Sequence, residues 1–546
     1  MYATAPAVPR PGETARNPWL VLLVLCGAVF MLLLDTTIVN VAQQVIKDDL
    51  GATLPQIQWI LDSYILAYAV LLLSFGRLGD VLGRKRMFVC GMAVFIAASV
   101  LCGLSTAIGD LLGISASTAL IASRVLQGVG GALMMPQTLS LITVAFPPEQ
   151  RGAAMGAWGS VVSLGAILGP LIGGFIVSHA AWQWIFLINV PIGIVAIVAT
   201  IAIVPESVDP LASRRIDWAG VGLSGFGIFA FVYAAIEGNH RGWTDPLILG
   251  LLTLSVLLLA LFVWWERRCA DPMMKLELFD IRNFSAGNVI GLLVSFGMLG
   301  IFFPLTLFLQ GGLGLSPIAA GLAMTPMSLI MMFAAPASGR LSDRVGARWI
   351  LIAGLTLMSA GILLLSGRLS PATDWHTLWP ALLLLGTAMG MTFAPLTAAT
   401  MAQVPPRIAG SASGILNTNR NIGQVLGIAI LGSVLQTRLG VHAAGAMAAV
   451  DGLEPETARE MAALVRDSRL SEIPTRLGVL QPGQTESLPQ VFGAAQEAFA
   501  ASIHDTFAAA AAACLLALLA AFFIRNPRSG GAAPSARHEA SGGRAA

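Results

Sequence analysis

Four ionisable side chains stand inside otherwise apolar stretches of this 546-residue sequence: Asp35, Asp62, Arg124 and Arg420. A charge held away from water is costly unless it is paired or wetted, so such positions mark function by default. Asp35 lies deep in its stretch. An acid there can take up and release a proton and tie that event to a change of shape, which makes Asp35 the leading proton carrier. Arg124, with Gln127 one turn further on, can hold Asp35 ionised until the two are separated. A purely structural Asp35–Arg124 pair is the other reading, and the two are compatible. Asp62, in Trp59-Ile60-Leu61-Asp62-Ser63-Tyr64, lies near the end of its stretch. Proton entry or cation contact there stands beside helix capping or plain solvation. Arg420 belongs to Asn417-Thr418-Asn419-Arg420-Asn421, unusually polar for an apolar run, which predicts that it faces an interior.

The stretches that carry these groups dominate the composition. Hydrophobic residues make up 56% of the chain and charged residues 11%, with 31 Lys+Arg against 29 Asp+Glu. A soluble domain carries roughly 25% charged residues, so this chain cannot cover a water-facing surface of its size. Soluble enzymes, nucleic-acid binders with a basic face and disordered proteins are excluded, leaving a polytopic membrane protein. Four of the five Cys (Cys26, Cys90, Cys102, Cys514) lie in apolar runs and read as small buried hydrophobes. No His falls inside a span, no metal site is expected, and no phosphate-cradling Gly-rich loop offers direct ATP coupling. No catalytic constellation suggests an enzyme.

About 20 helical residues cross a bilayer core. The apolar runs give fourteen spans near 19–42, 57–77, 87–106, 111–135, 153–177, 183–204, 217–237, 246–265, 284–309, 317–338, 349–367, 377–400, 411–437 and 503–524. The first is read as retained rather than as a cleaved signal. With the N-terminus inside, 21 of the 31 basic residues fall on the cytoplasmic side and three in short external loops, so both termini are expected in the cytoplasm. Residues 438–502 read as a small external cap without its own core, and the cytoplasmic tail 525–546 as disordered.

The sequence also repeats. Gly76-Arg77-Leu78-Gly79-Asp80 with Gly83 returns as Gly339-Arg340-Leu341-Ser342-Asp343 with Gly346, at a constant spacing of 263 residues. Pro147, Pro148, Gly152, Gly156, Gly165 and Gly169 return 258 residues later as Pro405, Pro406, Gly410, Gly414, Gly423 and Gly427. Parallel repeats of this kind place a substrate site between two halves near the membrane midplane. An N-terminal half at 19–204 and a C-terminal half at 284–524 then leave two linker spans in 205–283, after an N-tail of 18 residues.

On these motifs the chain resembles the major facilitator superfamily, specifically its fourteen-helix drug:proton antiporters of the EmrB/QacA type. The carrying residues are the loop 76–86, Arg124 to Ala132, Leu34 to Ala42, Trp182 to Gly193, and Gly156 with Gly165, Gly169, Pro170, Gly173 and Gly174. The resemblance implies an all-α fold of two six-helix bundles plus two extra helices. It implies a conformational latch of Gly76, Arg77, Asp80, Gly83 and Arg84, in which Asp80 meets an arginine and a helix N-terminus of the other half. Asp343 and Arg348 would form the weaker counterpart. It also marks the Gly-Pro motif as that of exporters.

The expected function is proton-coupled export of amphipathic small molecules by alternating access, in a bacterial inner membrane. The energy source is the proton gradient, with no cofactor. The expected partners are the lipid bilayer, the substrate and protons, with no nucleic acid; the protein is expected as a monomer, with room for an adaptor protein. A dedicated exporter of one metabolite or lipid and a non-transporting receptor or scaffold are the alternatives. Cavity walls are assigned to Asn40, Trp59, Tyr64, Gln310, Met324, Met327, Phe393, Asn417 and Arg420, because thioethers and aromatic rings re-pack around dissimilar ligands.

Overall fold

The computed structural model describes residues 17–52, 54–208, 217–269, 271–309, 313, 315, 317–370, 373–450, 453–466, 473–480 and 488–526. Gln310, Arg214, Arg215 and residues 1–16 and 527–546 lie outside the described residues, as does the side chain of Pro170.

Asn17 starts the first helix by accepting a hydrogen bond from the Trp19 amide at 3.0 Å, with Pro18 at the first helical position, where its missing N–H costs nothing. Thirteen more long helices follow. The first half holds α1 (Pro18–Leu50), α2 (Leu54–Leu82), α3 (Arg84–Gly103), α4 (Ala116–Ala145), α5 (Arg151–His179) and α6 (Trp184–Ile203). Next come α7 (Trp218–Arg241) and α8 (Pro246–Glu266). The second half holds α9 (Arg282–Thr306), α10 (Pro317–Val345), α11 (Ala347–Ser366), α12 (Trp379–Met401), α13 (Ala409–Ala448) and α14 (Leu488–Ala521). Among the described residues, thirteen helices are long and apolar enough to cross a membrane; the Gly-rich, 29-residue α5 lies between α1 and α10. No strand occurs among the described residues.

The halves meet along two seams, α5 against α10 and α2 against α13, the same pair of elements with the halves exchanged. The two extra helices pack on each other, and α7 lies over the seam of α2 and α13. α2 turns into α3, and α10 into α11, through Gly83 (φ +111°) and Gly346 (φ +93°), backbone angles that L side chains rarely adopt.

Two helix extents differ from the sequence expectation. The fourth span was expected at 111–135. A short helix, Ser105–Leu112, instead ends at Gly113, and Ser115 caps the spanning helix by accepting from the Thr118 amide at 3.2 Å. The described part of the region 438–502 consists of the continuations of α13 and α14 together with helices Pro455–Arg466 and Ile473–Leu480 and short connections. Hydropathy fails at Arg438, His442 and Asp505. These three meet across the two helices, at 3.4 Å for Arg438–Asp505 and 3.1 Å for His442–Asp505, so the helices run on. Met461, Val465, Ile473, Val491 and Phe499 are fully buried in the same apolar cluster as Leu431 and Phe507, so the cap shares the core of the second half.

That shared core predicts that Met461→Asp, an unpaired carboxylate in apolar surroundings, costs about 3 kcal/mol or more and lowers the melting temperature of the purified protein. Arg459→Ala, on the exposed side of the same helix, leaves it unchanged. Equal melting for the two variants would show the cap to be an independent appendage.

Candidate functional site

Asp35 is completely buried on α1 and surrounded by donors. Arg124 of α4 reaches its Oδ2 with Nη1 at 2.7 Å. The amides of Gln127 and of Asn189 on α6 each donate to Oδ1 at 2.8 Å. Arg124 also donates to the Ile60 carbonyl at 3.1 Å and to Gln127 Oε1 at 2.6 Å, and Ser99 accepts from Gln127 at 2.8 Å. The guanidinium is covered by the Tyr64 ring, 4.4 Å from its centroid, with Phe186 at 5.9 Å. The structure therefore brings together Asp35, Arg124, Gln127 and Tyr64 from the sequence-derived set and adds Asn189 and Ser99. Asn189 was visible as part of the motif from Trp182 to Gly193, with no role assigned to it; Ser99 left no signal.

At one end of the bundle a second buried acid joins the halves. Asp80, at the last turn of α2, accepts from the amides of Gly410 (2.8 Å) and Ser411 (2.7 Å) and from the Ser411 hydroxyl (3.0 Å), at the N-terminus of α13. A carboxylate there satisfies orphan amides and meets the positive end of the helix dipole. Arg84 pairs with Asp80 at 2.6 Å and donates onward to the Pro406 and Arg407 carbonyls at 2.7 and 3.0 Å. Small residues permit this approach: a Cβ at Gly76 would lie 2.7 Å from the Gly410 carbonyl.

The second repeat reciprocates. Asp343, late in α10, accepts from the Gly152 and Ala153 amides, both at 3.0 Å, at the N-terminus of α5. Arg348 does not join it. Its amide donates to Asn526 and its guanidinium lies 5.4 Å from the Trp349 ring and 5.9 Å from the Phe522 ring. The repeat spacing of 263 explains this: the position equivalent to Arg84 is Ala347, so this latch has no arginine. Arg77 likewise stays away from Asp80 and lines a groove beside Trp218 and Met273.

The glycines of α5 divide their work. At Gly156 a Cβ would lie 2.6 Å from the Ala335 carbonyl of the other half. At Gly165 it would lie 2.9 Å from Leu33 Cβ, and at Gly173 2.7 Å from Ile38, so these residues seat α5 on α1. Gly169 abuts Thr37, whose hydroxyl donates to the Gly165 carbonyl at 3.2 Å. Gly174 has no such neighbour within 4 Å. The helix is continuous through position 170.

Between the halves lies a chamber of about 590 Å³, in the size range of small-molecule sites. Tyr64, Met324, Met327, Phe393, Asn417 and Arg420 line it. Trp59 and Asn40, expected in that wall, do not belong to it, and Asp62, expected as a proton-entry or cation-contact group, is not part of it either. Trp59 packs on α7, with its ring 5.7 Å from Tyr233, and half-buried Asp62 faces Glu237 of the same helix rather than Asp35. Asn40 is exposed and bonds to Thr36 and Gln43. Sequence alone could not foresee that an extra helix covers this side of α2. Gln310 lies outside the described residues.

The sequence pattern of the Major Facilitator Superfamily matches residues 25–267 and 288–452. A probable actinorhodin transporter of Streptomyces coelicolor is 37% identical over 471 residues, covering 83% of this chain and 79% of that protein. A tetracenomycin C resistance and export protein of Streptomyces glaucescens is 36% identical over 433 residues, covering 79% and 78%. Among solved structures, the proton:xylose symporter XylE superposes with a TM-score of 0.57 at 13% identity, covering 92% and 94% of the two chains, a likeness of fold.

The unequal latches predict unequal responses. Asp80→Asn removes the charge that meets both Arg84 and the α13 N-terminus, and is expected to shift the population toward a parted latch end by about tenfold or more. Asp343→Asn, with two backbone donors and no arginine, shifts it less. Spin labels at Arg86→Cys and Arg340→Cys, read by electron–electron double resonance, report the separation; equal shifts would refute the ranking.

Proposed function

Because the chain belongs to the Major Facilitator Superfamily, we propose that it exports amphipathic small molecules by alternating access, driven by protons entering through Asp35. It works in a bacterial inner membrane with both termini cytoplasmic, as a single copy and without a bound cofactor. The two Streptomyces relatives, one named as a transporter and the other for resistance and export, support the direction. The basic-residue bias supports the orientation.

The single observation that carries the coupling is that Tyr64 touches both sites. Its ring covers Arg124 at 4.4 Å and also forms part of the chamber wall. While Asp35 is ionised, it holds the guanidinium, Gln127 and Asn189 together. A proton on Asp35 cancels the charge that gathers those donors, and Arg124 is left with carbonyl and amide acceptors and two rings. A buried cation that loses its counter-charge is destabilised by several kcal/mol, enough to move a two-state equilibrium by orders of magnitude. Arg124 and Tyr64 then shift together, and the chamber wall changes with them. The glycine face of α5, seated on α1 at Leu33, Thr37 and Ile38, transmits the displacement of α1 to the seam with α10.

The latched end and the chamber describe one state of the cycle. Asp80 and Asp343 close the side that the topology makes cytoplasmic. The chamber wall extends to Val41, Leu171 and Gly321 toward the opposite side, where a substrate would leave. Both relatives carry a single compound in their names, which supports a narrow substrate range as the second reading. Resistance across a compound panel in a hypersusceptible host separates broad from narrow export.

Asp35→Asn is expected to reduce pH-gradient-driven efflux from proteoliposomes to the level of empty vesicles, while substrate counterflow without a gradient persists. Undiminished proton-driven antiport in that variant would sink the assignment.

A further inference from the structure

We propose that the chamber takes amphipathic anions, carrying a carboxylate, sulfonate or phenolate, and that Arg420 receives their charge. The inference deepens the export reading and rests on it, by naming the substrate class.

Among the described residues, Arg420 is the buried arginine that lines the chamber; Arg77, equally buried and with its Nη1 unpartnered, faces the groove beside Trp218 instead. Arg84 has Asp80 and Arg124 has Asp35. Arg151 spends its guanidinium on carbonyls, Thr143 at 2.9 Å and Phe146 at 3.2 Å among them. Arg420, only 9% exposed, donates from Nη2 to the Thr397 hydroxyl at 2.7 Å and lies 5.8 Å from the Phe393 ring. Its Nε has no protein partner, and no carboxylate comes within ion-pair distance of it among the described residues. Burial of a cation without a counter-ion is unfavourable by several kcal/mol. A guanidinium also presents a planar fork suited to carboxylate or sulfonate oxygens. Among the described lining residues of the chamber it is the sole charged side chain, so the field inside is positive.

The internal repeat shows that this charge is an asymmetry between two equivalent walls. Asn417, Arg420 and Asn421 on α13 correspond, 258 residues earlier, to Gly159, Val162 and Ser163 on α5, and all six line the chamber. One wall is thus cationic and amide-rich where its counterpart is small and uncharged. Met324, Met327, Met331 and Met389 supply a polarizable surface between them. A ligand with an anionic head and an aromatic or aliphatic body fits this division, head to Arg420 and body to Val162 and the methionines. A cationic amphipath would leave one guanidinium facing another positive charge.

The test uses full-length protein in nanodiscs at one pH, with empty nanodiscs as baseline. The probes share one ring system: 2-naphthoate (anion), 2-naphthalenemethanol (neutral) and (2-naphthylmethyl)trimethylammonium (cation). Equilibrium binding is measured by scintillation proximity with tritiated 2-naphthoate and by competition. The wild type is expected to bind the anion about tenfold or more tighter than the cation. Arg420→Met abolishes that preference and leaves the neutral probe within about twofold, and Arg420→Lys retains part of it. Should Arg420→Met fail to fold, the wild-type order and Arg420→Lys decide. Equal or tighter binding of the cation, an undiminished preference in Arg420→Met, or no saturable anion binding would each overturn the proposal. Loss of vesicle efflux with the charge order intact would remove the export reading alone; export without the charge order would remove the anion site alone.

Discussion

A carboxylate taken out of water must be met by donors, and two such carboxylates, Asp35 and Asp80, organise this molecule together with the solvent-exposed Asp343. Asp80 and Asp343 each leave their own half and find the free amides at the start of a glycine-bearing helix in the other. Asp35 remains within its half and gathers Arg124, Gln127 and Asn189 from two further helices. Glycines make the first arrangement attainable. A carboxylate can reach the amides of α13 only because Gly76 lets the α2 backbone come within contact of Gly410 and Gly414. The demand for donors and the absence of side chains at the seams are two aspects of one constraint.

The exchange of acids between halves also makes the closed end reversible. Its bonds are polar, and water can replace each of them once the seam parts. The two latches are unequal because Arg84 has no counterpart at Ala347. The Asp80 latch thus carries an ion pair that the Asp343 latch lacks, and α7 overlies its seam. Under the proposed mechanism, the charge on Asp35 acts on this balance through α1 and the glycine face of α5.

The added helices change the surroundings of α2 more than those of any other core helix. Trp59 stacks near Tyr233, and Asp62 faces Glu237, so a stretch that would otherwise meet lipid is covered by protein. The cap beyond α13 and α14 likewise extends a core rather than founding one. Polar groups on those helices pair with each other, which lets them continue past the limits that hydropathy alone would set.

Much was legible in the sequence because it depends on local composition or on residue spacing. Apolar run length gave the number of long helices, since a bilayer core needs a fixed helical length. The 263- and 258-residue repeats predicted two equivalent halves, and the scarcity of charge within spans singled out Asp35, Arg124 and Arg420. Tertiary structure alone decided which charges meet. The pairing of Asp35 with Asn189, the exclusion of Arg348 from the Asp343 cap and the turning of Trp59 toward α7 depend on how distant helices rotate against each other. A linear pattern gives the periodicity of each helix but not its rotation. That rotation is set by close approaches such as Gly76 on Gly414 and Gly165 on Leu33, which exist only once the helices have packed.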